Sequence, residues 1–325
     1  MVAKNDLFKK HQAHFDRIDE ELDRVLDSRV ALIKDIGEHA LFSRGKKLRP
    51  LYFVLSCQLC DYRGEDIYRL STVFEYMHVA SLLHDDVLDN AEIRRSRPSA
   101  NQVWGNHAAI LEGDFLFSKA SSIAVGSGNL GFLERLTETS MKMTEGQIME
   151  LNHANDWSTG KEKYMEIITA KTAEMMSAAC ACGAVVARTG AEEEAILAKF
   201  GLNMGIAFQL MDDLLDYASS EEVFGKPVGK DLREEKITLP LIYTMERLDT
   251  SEKEKLERLF RNRQASEDDY LRLMELVRNQ GALEQIRKEA QAYVDSAVDY
   301  LNPFPDCYAK ESLLELNQYI VDREY

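Results

Sequence analysis

Helical periodicity runs through this 325-residue chain almost without interruption. Apolar residues recur at i, i+3, i+4 and i+7, and no run shows the two-residue alternation of a half-buried strand. The pattern predicts helices over about 5–26, 29–40, 47–61, 66–90, 100–125, 130–153, 162–188, 192–218, 236–248, 252–262, 267–279, 281–301 and 309–322. Turn chemistry falls between them: RGKKLRP before the third helix, Pro98 closing the fourth, and FGKPVGK after the eighth. At ~150 residues per domain the length alone suggests two domains. Yet no Pro/Ser-rich or low-complexity segment marks a linker. The expectation is therefore an all-α chain, a single domain over 1–325, built as a bundle of about a dozen helices.

Apolar residues make up 45% of the chain, enough for a large core. The N-terminal MVAKNDLFKKHQAHF has no apolar signal-peptide region, and the longest apolar stretches, 51–60 and 178–187, fall short of the ~18–20 residues a membrane span needs. Five scattered cysteines (Cys57, Cys60, Cys180, Cys182, Cys307) suit a reducing compartment, so a cytoplasmic location is expected. The lone CxxC at Cys57–Cys60 has no second pair at ligand spacing and reads as buried helical cysteine. A net charge of −16 argues against nucleic acid as a partner. No strongly basic amphipathic helix favours stable membrane attachment, which leaves transient surface contact.

The chemistry concentrates in two aspartate clusters. In YMHVASLLHDDVLDNAEIRRSRPS, Asp85 and Asp89 are four apart and share a helix face, with Asp86 at the flank. FQLMDDLLDY repeats the arrangement with Asp212, Asp213 and Asp216. Both triplets lie among Leu, Val and Met, so their helices also have a buried face. Like charges at this spacing oppose helix formation unless cations compensate, and carboxylate oxygens suit a hard divalent ion such as Mg²⁺. Two solvated acidic patches are the plain alternative, and their repetition inside apolar helices weighs against it. A second metal reading uses His78 with His84 and Asp85 in a phosphohydrolase pattern, but it leaves the second triplet unexplained. Basic residues bracket both clusters: Lys46, Lys47 and Arg49 in GKKLRP, then Arg94 and Arg95, then Lys171, Lys226, Lys230 and Lys236. Metal-bound diphosphate needs such partners.

With these motifs in order, the chain resembles the trans-isoprenyl diphosphate synthases (polyprenyl synthetases), and most of all their long-chain, octaprenyl-type members that make quinone side chains. The resemblance runs through GKKLRP (45–50), EYMHVASLLHDDVLD (75–89), RRSRPS (94–99), GDFLF (113–117), EGQIMEL (145–151), KTAEM (171–175), FQLMDDLLDY (208–217), GKPVGKDL (225–232) and KITLP (236–240). It implies an isoprenoid-synthase-type bundle around a central cavity, and head-to-tail condensation of isopentenyl diphosphate onto an allylic diphosphate, farnesyl diphosphate being the expected primer. Asp85, Asp89 and Asp212 would bind Mg²⁺, three ions with diphosphate in place, with Asp86, Asp213 and Asp216 ligating or supporting. Lys46, Arg49, His78 and Arg95 resemble the isopentenyl diphosphate site. Arg94, Lys171, Thr172, Gln209, Lys226 and Lys236 resemble the allylic side, where Lys171, Thr172 and Gln209 would stabilise the carbocation. The resemblance also implies a homodimer.

Two departures from the family pattern stand out. Ser96 and Glu235 replace its usual glycines. Small Ser96 is expected to matter little, whereas Glu235 would add negative charge beside Lys236. Chain length is expected to depend on Ala80 and Ser81, where short-product members carry bulky aromatics. Their small size implies an open tunnel, with Met77, Tyr76, Phe115 or Phe117 as a deeper floor. The competing functions are a shorter-chain synthase, a class I terpene cyclase and an inactive regulatory subunit. The intact second DDxxD argues against the last two.

Overall fold

The computed structural model describes residues 4–42, 45–218, 229–261 and 265–323. Helices dominate: α1 (Lys4–Lys10), α2 (Gln12–Val25), α3 (Ala31–Leu41), α4 (Leu48–Leu59), α5 (Ile67–Leu88), α6 (Ala100–Trp104), α7 (Asn106–Gly126), α8 (Leu130–Asn152), α9 (Lys161–Ile168), α10 (Glu174–Ala187) and α11 (Ala191–Ala218). They continue as α12 (Lys230–Arg233), α13 (Leu239–Arg247), α14 (Thr250–Arg261), α15 (Glu267–Asn279), α16 (Ala282–Tyr300) and α17 (Tyr308–Asp322). The all-α expectation holds. Sequence periodicity does not show three breaks. The first long helix divides at His11, and Gly105, at φ +83°, separates α6 from α7. A π-helical turn, Thr169–Ala173, interrupts the run from α9 to α10. Pro98 does not close the fourth helix. That helix ends at Leu88, and Pro98 lies in a two-stranded hairpin, β1 (Ile93–Arg94) with β2 (Arg97–Pro98). No helix among the described residues is long and apolar enough to cross a membrane.

The contacts divide the chain into two compact units, the boundary falling inside α8, α10, α11 and α17. The first comprises 1–139, 178–198 and 303–315. Its core includes Phe53, Phe74 and Phe132, with ring centroids 5.3–6.1 Å apart. Tyr76, fully buried on α5, donates its hydroxyl to the Leu22 carbonyl at 2.7 Å. Gly183 of α10 lies against the backbone of Ser56 and Cys57 on α4, closer than any Cβ would allow. This approach explains the small-residue run AACACGA there. Cys57, Cys180 and Cys182 are buried free thiols, whereas Cys60 is half-buried at the C-cap of α4, so the buried helical reading of the CxxC holds for Cys57 and not for Cys60.

The second unit comprises 140–177, 199–302 and 316–325. Tyr217, Leu232, Leu241, Phe260, Leu273, Met274 and Val277 form its core. Ser266 and Asp269 form a reciprocal capping box that starts α15. Arg278 donates to the Tyr217 carbonyl at 2.7 Å, satisfying an orphan acceptor at the C-terminus of α11.

Both family departures fall on left-handed backbone. The hairpin register pairs Arg94 with Arg97, leaving Arg95 (φ +51°) and Ser96 (φ +64°) as its two-residue turn. Turns with two positive φ values favour glycine. Glu235 has φ +62°, and its carbonyl accepts from the Asn155 amide at 2.8 Å. The glycines are thus explained by backbone conformation, and the side-chain size that made Ser96 look harmless is not the relevant variable. Ser96→Gly and Glu235→Gly are each expected to stabilise the protein by about 1 kcal/mol, read as a higher denaturation midpoint in urea.

Glu112, on α7, is 1% exposed, and neither carboxyl oxygen has a hydrogen-bond partner among the described residues. Gly37 of α3 makes room for it: a Cβ there would lie 3.1 Å from Glu112 Oε1. Burial pushes its pKa up to about 7. A raised carboxyl pKa means the native state holds the proton more tightly than the unfolded chain. The associated stability is complete below about pH 4.5 and is lost as pH rises through 7. Between pH 5 and pH 8 the wild type should lose about 2.5 kcal/mol through this group. Glu112→Met should lack that loss, which chemical denaturation at the two pH values will test.

Candidate active site

The first aspartate cluster ends α5 in the first unit. Asp86 faces inward, 3% exposed, and accepts from Arg94 Nε at 2.8 Å and Nη2 at 2.5 Å. Asn101 donates to its backbone carbonyl at 3.2 Å. Asp86 therefore pins the β1–β2 hairpin to the end of α5. Asp85 and Asp89 are half-buried, and Asp89 is the C-cap of α5, its amide donating to the Asp85 carbonyl at 2.8 Å. His84 turns to α7 instead, with Nε2 3.2 Å from the Ile110 carbonyl and 3.4 Å from Asp114. That engagement disfavours the phosphohydrolase pattern.

Cations gather beside this cluster. Burial lowers the His78 pKa well below the ordinary imidazole range, reinforced by Arg49, Arg95 and Arg94. Glu75, 2% exposed, is pushed up by burial while Arg49, Arg95 and Lys47 oppose the shift. Glu75 is thus a buried counter-charge among these cations, and nothing in its sequence position singled it out. Gly45 lets the Arg95 guanidinium lie against the chain where any Cβ would collide. Lys47 pairs with Asp19 and sits 4.9 Å from the centroid of the Phe42 ring, which makes it structural. Exposed Lys46 sits 5.8 Å from the centroid of Phe8.

The second cluster lies on α11 in the second unit and repeats the arrangement. Its middle acid is again internal: Asp213, 4% exposed, accepts from Tyr164 Oη at 2.5 Å and Gln209 Nε2 at 2.7 Å. Burial pushes its pKa up to about 7 despite those bonds. The first acid, Asp212, is presented outward with its side chain 43% exposed. Asp216 accepts the backbone amides of Lys230 and Asp231 at 3.2 and 3.1 Å, so it caps α12. Burial, with Asp213 and Asp216, raises the carboxyl of Asp231, a further acid beside the triplet.

Lys171 and Thr172 lie in the π turn, also in the second unit. Such bulges recur at functional sites because they re-aim side chains. Two glycines accommodate this one. A Cβ on Gly146 of α8 would fall 2.5 Å from the Lys171 amide nitrogen, and one on Gly205 of α11 would fall 2.6 Å from Ala173 Cα. Lys171 Nζ meets Glu150 Oε2 at 2.5 Å, and Thr172 Oγ1 donates to Gln209 Oε1 at 3.0 Å. A hydrogen-bonded chain therefore runs Thr172–Gln209–Asp213–Tyr164.

The polyprenyl synthetase family model matches residues 30–277, which span both clusters and the cations around them. The chain belongs to the polyprenyl synthetase family. It is a prenyltransferase of isoprenoid biosynthesis. It is 36% identical to octaprenyl diphosphate synthase of Escherichia coli strain K12, over 92% of each chain. It is 32% identical to the short chain isoprenyl diphosphate synthase of Methanothermobacter thermautotrophicus, covering all of both chains. A crystal structure of polyprenyl synthase from Caulobacter crescentus, complexed with calcium and isoprenyl diphosphate, superposes with a TM-score of 0.93 at 36% identity, covering 98% of this chain and 97% of that one.

Within this polyprenyl synthetase the expected residues fall into distinct groups. Arg49, His78, Arg94 and Arg95 sit together beside the first cluster. Lys171, Thr172 and Gln209 accompany the second. Lys236 Nζ donates to Glu234 Oε2 at 2.7 Å, so Glu234 is a neighbouring glutamate that engages it. Lys226 lies outside the described residues. Met77 and Ala80 are buried on α5, while half-buried Ser81 donates to the His78 carbonyl at 2.8 Å. Among the deeper positions, Tyr76 is fully buried, Phe115 half-buried and Phe117 39% exposed. Asp231 falls inside the GKPVGKDL string, although no role was attached to it, whereas nothing local marks Tyr164 or Arg323, the last of which pairs with Asp212 at 2.5 Å.

Proposed function

We propose that the protein condenses isopentenyl diphosphate head-to-tail onto an allylic diphosphate, with farnesyl diphosphate as primer, giving a long all-trans polyprenyl diphosphate of the octaprenyl type for quinone side chains. The observation that carries this reading is the parallel construction of the two triplets. In each, the middle aspartate is locked inside by hydrogen bonds while the first is only partly buried.

The donor set fits Mg²⁺. Among the described residues no three His, Cys, Asp or Glu side chains form a ready cage. Mg²⁺ is characteristically held by one or two carboxylates, with water and substrate phosphate completing its shell. Asp212 already accepts a cation, the Arg323 guanidinium. Asp85, Asp89 and Asp212 would hold the ions, three with diphosphate bound, and Asp86, Asp213 and Asp216 support them. When bound, the metal neutralises charge that develops on the departing diphosphate.

The chain's own residues supply the rest. Lys46, Arg49, His78 and Arg95 bind isopentenyl diphosphate. Arg94, Lys226 and Lys236 add charge on the allylic side. As the allylic C1–O bond breaks, polar atoms of Lys171, Thr172 and Gln209 stabilise the delocalised cation. The isopentenyl double bond attacks C1, and a proton then leaves to the released diphosphate. Apolar surroundings keep water from quenching the cation. Buried Met77 and Ala80, with Ser81, border the path of the growing chain.

A homodimer is proposed as well, supported by exposed apolar side chains Leu111, Phe117 and Val125 on α7 and Met141, Ile148 and Leu151 on α8. The whole chain acts as one synthetase domain in the cytoplasm. Incorporation of labelled isopentenyl diphosphate into lipid in the presence of farnesyl diphosphate and Mg²⁺, abolished by EDTA, tests the activity. Cyclised hydrocarbon would point to a terpene cyclase, and no turnover to a regulatory subunit.

A further inference from the structure

Arg323 follows the last turn of α17, in the second unit, and is nearly buried. Its Nη2 lies 2.5 Å from Asp212 Oδ1 and donates to the Phe208 carbonyl at 2.8 Å. The guanidinium carbon is 4.1 Å from the centroid of the Phe208 ring. Phe208 and Asp212 are four residues apart on α11, so one face of that helix supplies the carboxylate, the carbonyl and the aromatic platform. Nε is buried with no hydrogen-bond partner among the described residues. The side chain is therefore held at Asp212 with part of its bonding capacity unspent, which is costly for a shielded guanidinium.

We propose that Arg323 is the resident counter-cation of Asp212, which a divalent metal must displace. The proposal rests on the metal reading of the aspartate clusters. Mg²⁺ bonds carboxylate oxygen at about 2.0–2.1 Å. A guanidinium nitrogen at hydrogen-bond distance from the same oxygen would stand against a dication, and like charges so close repel strongly in a half-buried site. The two cations are therefore mutually exclusive at Oδ1. Without metal, Arg323 holds Asp212 in place and offsets its charge. Metal binding releases the guanidinium, whose five donors then become available to an anion such as diphosphate. Arg323 is on this view a positioning residue that couples the end of α17 to metal loading.

The test is Mn²⁺ binding to the full-length, chelator-stripped protein, followed by calorimetry without substrate. Arg323→Gln should bind Mn²⁺ about fivefold tighter or more, the lower end of ordinary coupling between competing ligands. Arg323→Lys should stay near the wild type. Wild-type hydrogen exchange provides a readout that needs no variant: amides of 319–323 should exchange faster with Mn²⁺ present. Unchanged or weaker binding by Arg323→Gln, or unchanged or slower exchange in the wild type, would overturn the role. Asp212→Asn separates the two readings. If it leaves the affinity and stoichiometry of Mn²⁺ binding unchanged, the metal reading of Asp212, on which the proposal rests, fails. If it weakens binding while Arg323→Gln has no effect, only the counter-cation role fails.

Discussion

Asp85→Asn and Asp212→Asn should each lower kcat by about 10²–10³-fold, the effect of removing about 3–4 kcal/mol of transition-state stabilisation. The fold should survive both changes. Asp85 is half-buried at a helix end, and Asp212 has 43% of its side chain exposed. Their charges serve the cation more than the core. Asp213→Asn should behave differently. Asp213 accepts from Tyr164 and Gln209 inside the unit, and its amide replacement turns one acceptor toward a donor. That change should lower the denaturation midpoint as well as activity, because a buried donor is left unmatched. Steady-state rates across a Mg²⁺ titration, alongside urea denaturation, separate the two classes. A loss for Asp85→Asn or Asp212→Asn that merely tracks loss of folded protein would contradict the assignment.

Ala80→Phe should shorten the product. Ala80 is 1% exposed on α5, five residues before Asp85, which is about 7.5 Å along the axis at about 1.5 Å per residue. Phenylalanine there adds a bulky ring close to where the growing chain would leave the diphosphate site. Overpacking costs about 1–3 kcal/mol, so Ser81→Phe is a useful companion. Ser81 is half-buried and shares the Asp85 face of the helix, where a ring meets less of the core. Mass spectrometry of the lipid product reads both. An unchanged product length in a folded, active variant would remove the tunnel from this part of α5.

Much of this was legible in the sequence because the period of a helix is long enough to count. The all-α character and both DDxxD faces follow from spacing alone. What spacing could not give was the division of labour within each triplet. Asp86 and Asp213 look identical to their neighbours until Arg94 and Tyr164 are seen to hold them inside. The π turn at 169–173 was hidden because five residues are too few to distinguish its period from that of an α-helix. The β1–β2 hairpin, two residues per strand, was too short to alternate. The small size of Ser96 suggests a harmless replacement, whereas its φ of +64° is what matters. Arg323 carried no local motif, and only tertiary contact brings it to Asp212.

The mass of the lipid formed from farnesyl diphosphate, excess isopentenyl diphosphate and Mg²⁺ separates linear elongation from every alternative. Head-to-tail elongation by this site predicts a linear all-trans prenyl diphosphate longer than geranylgeranyl diphosphate, of the octaprenyl class. Cyclised hydrocarbon, or a product that stops at geranylgeranyl diphosphate despite excess isopentenyl diphosphate, would contradict it.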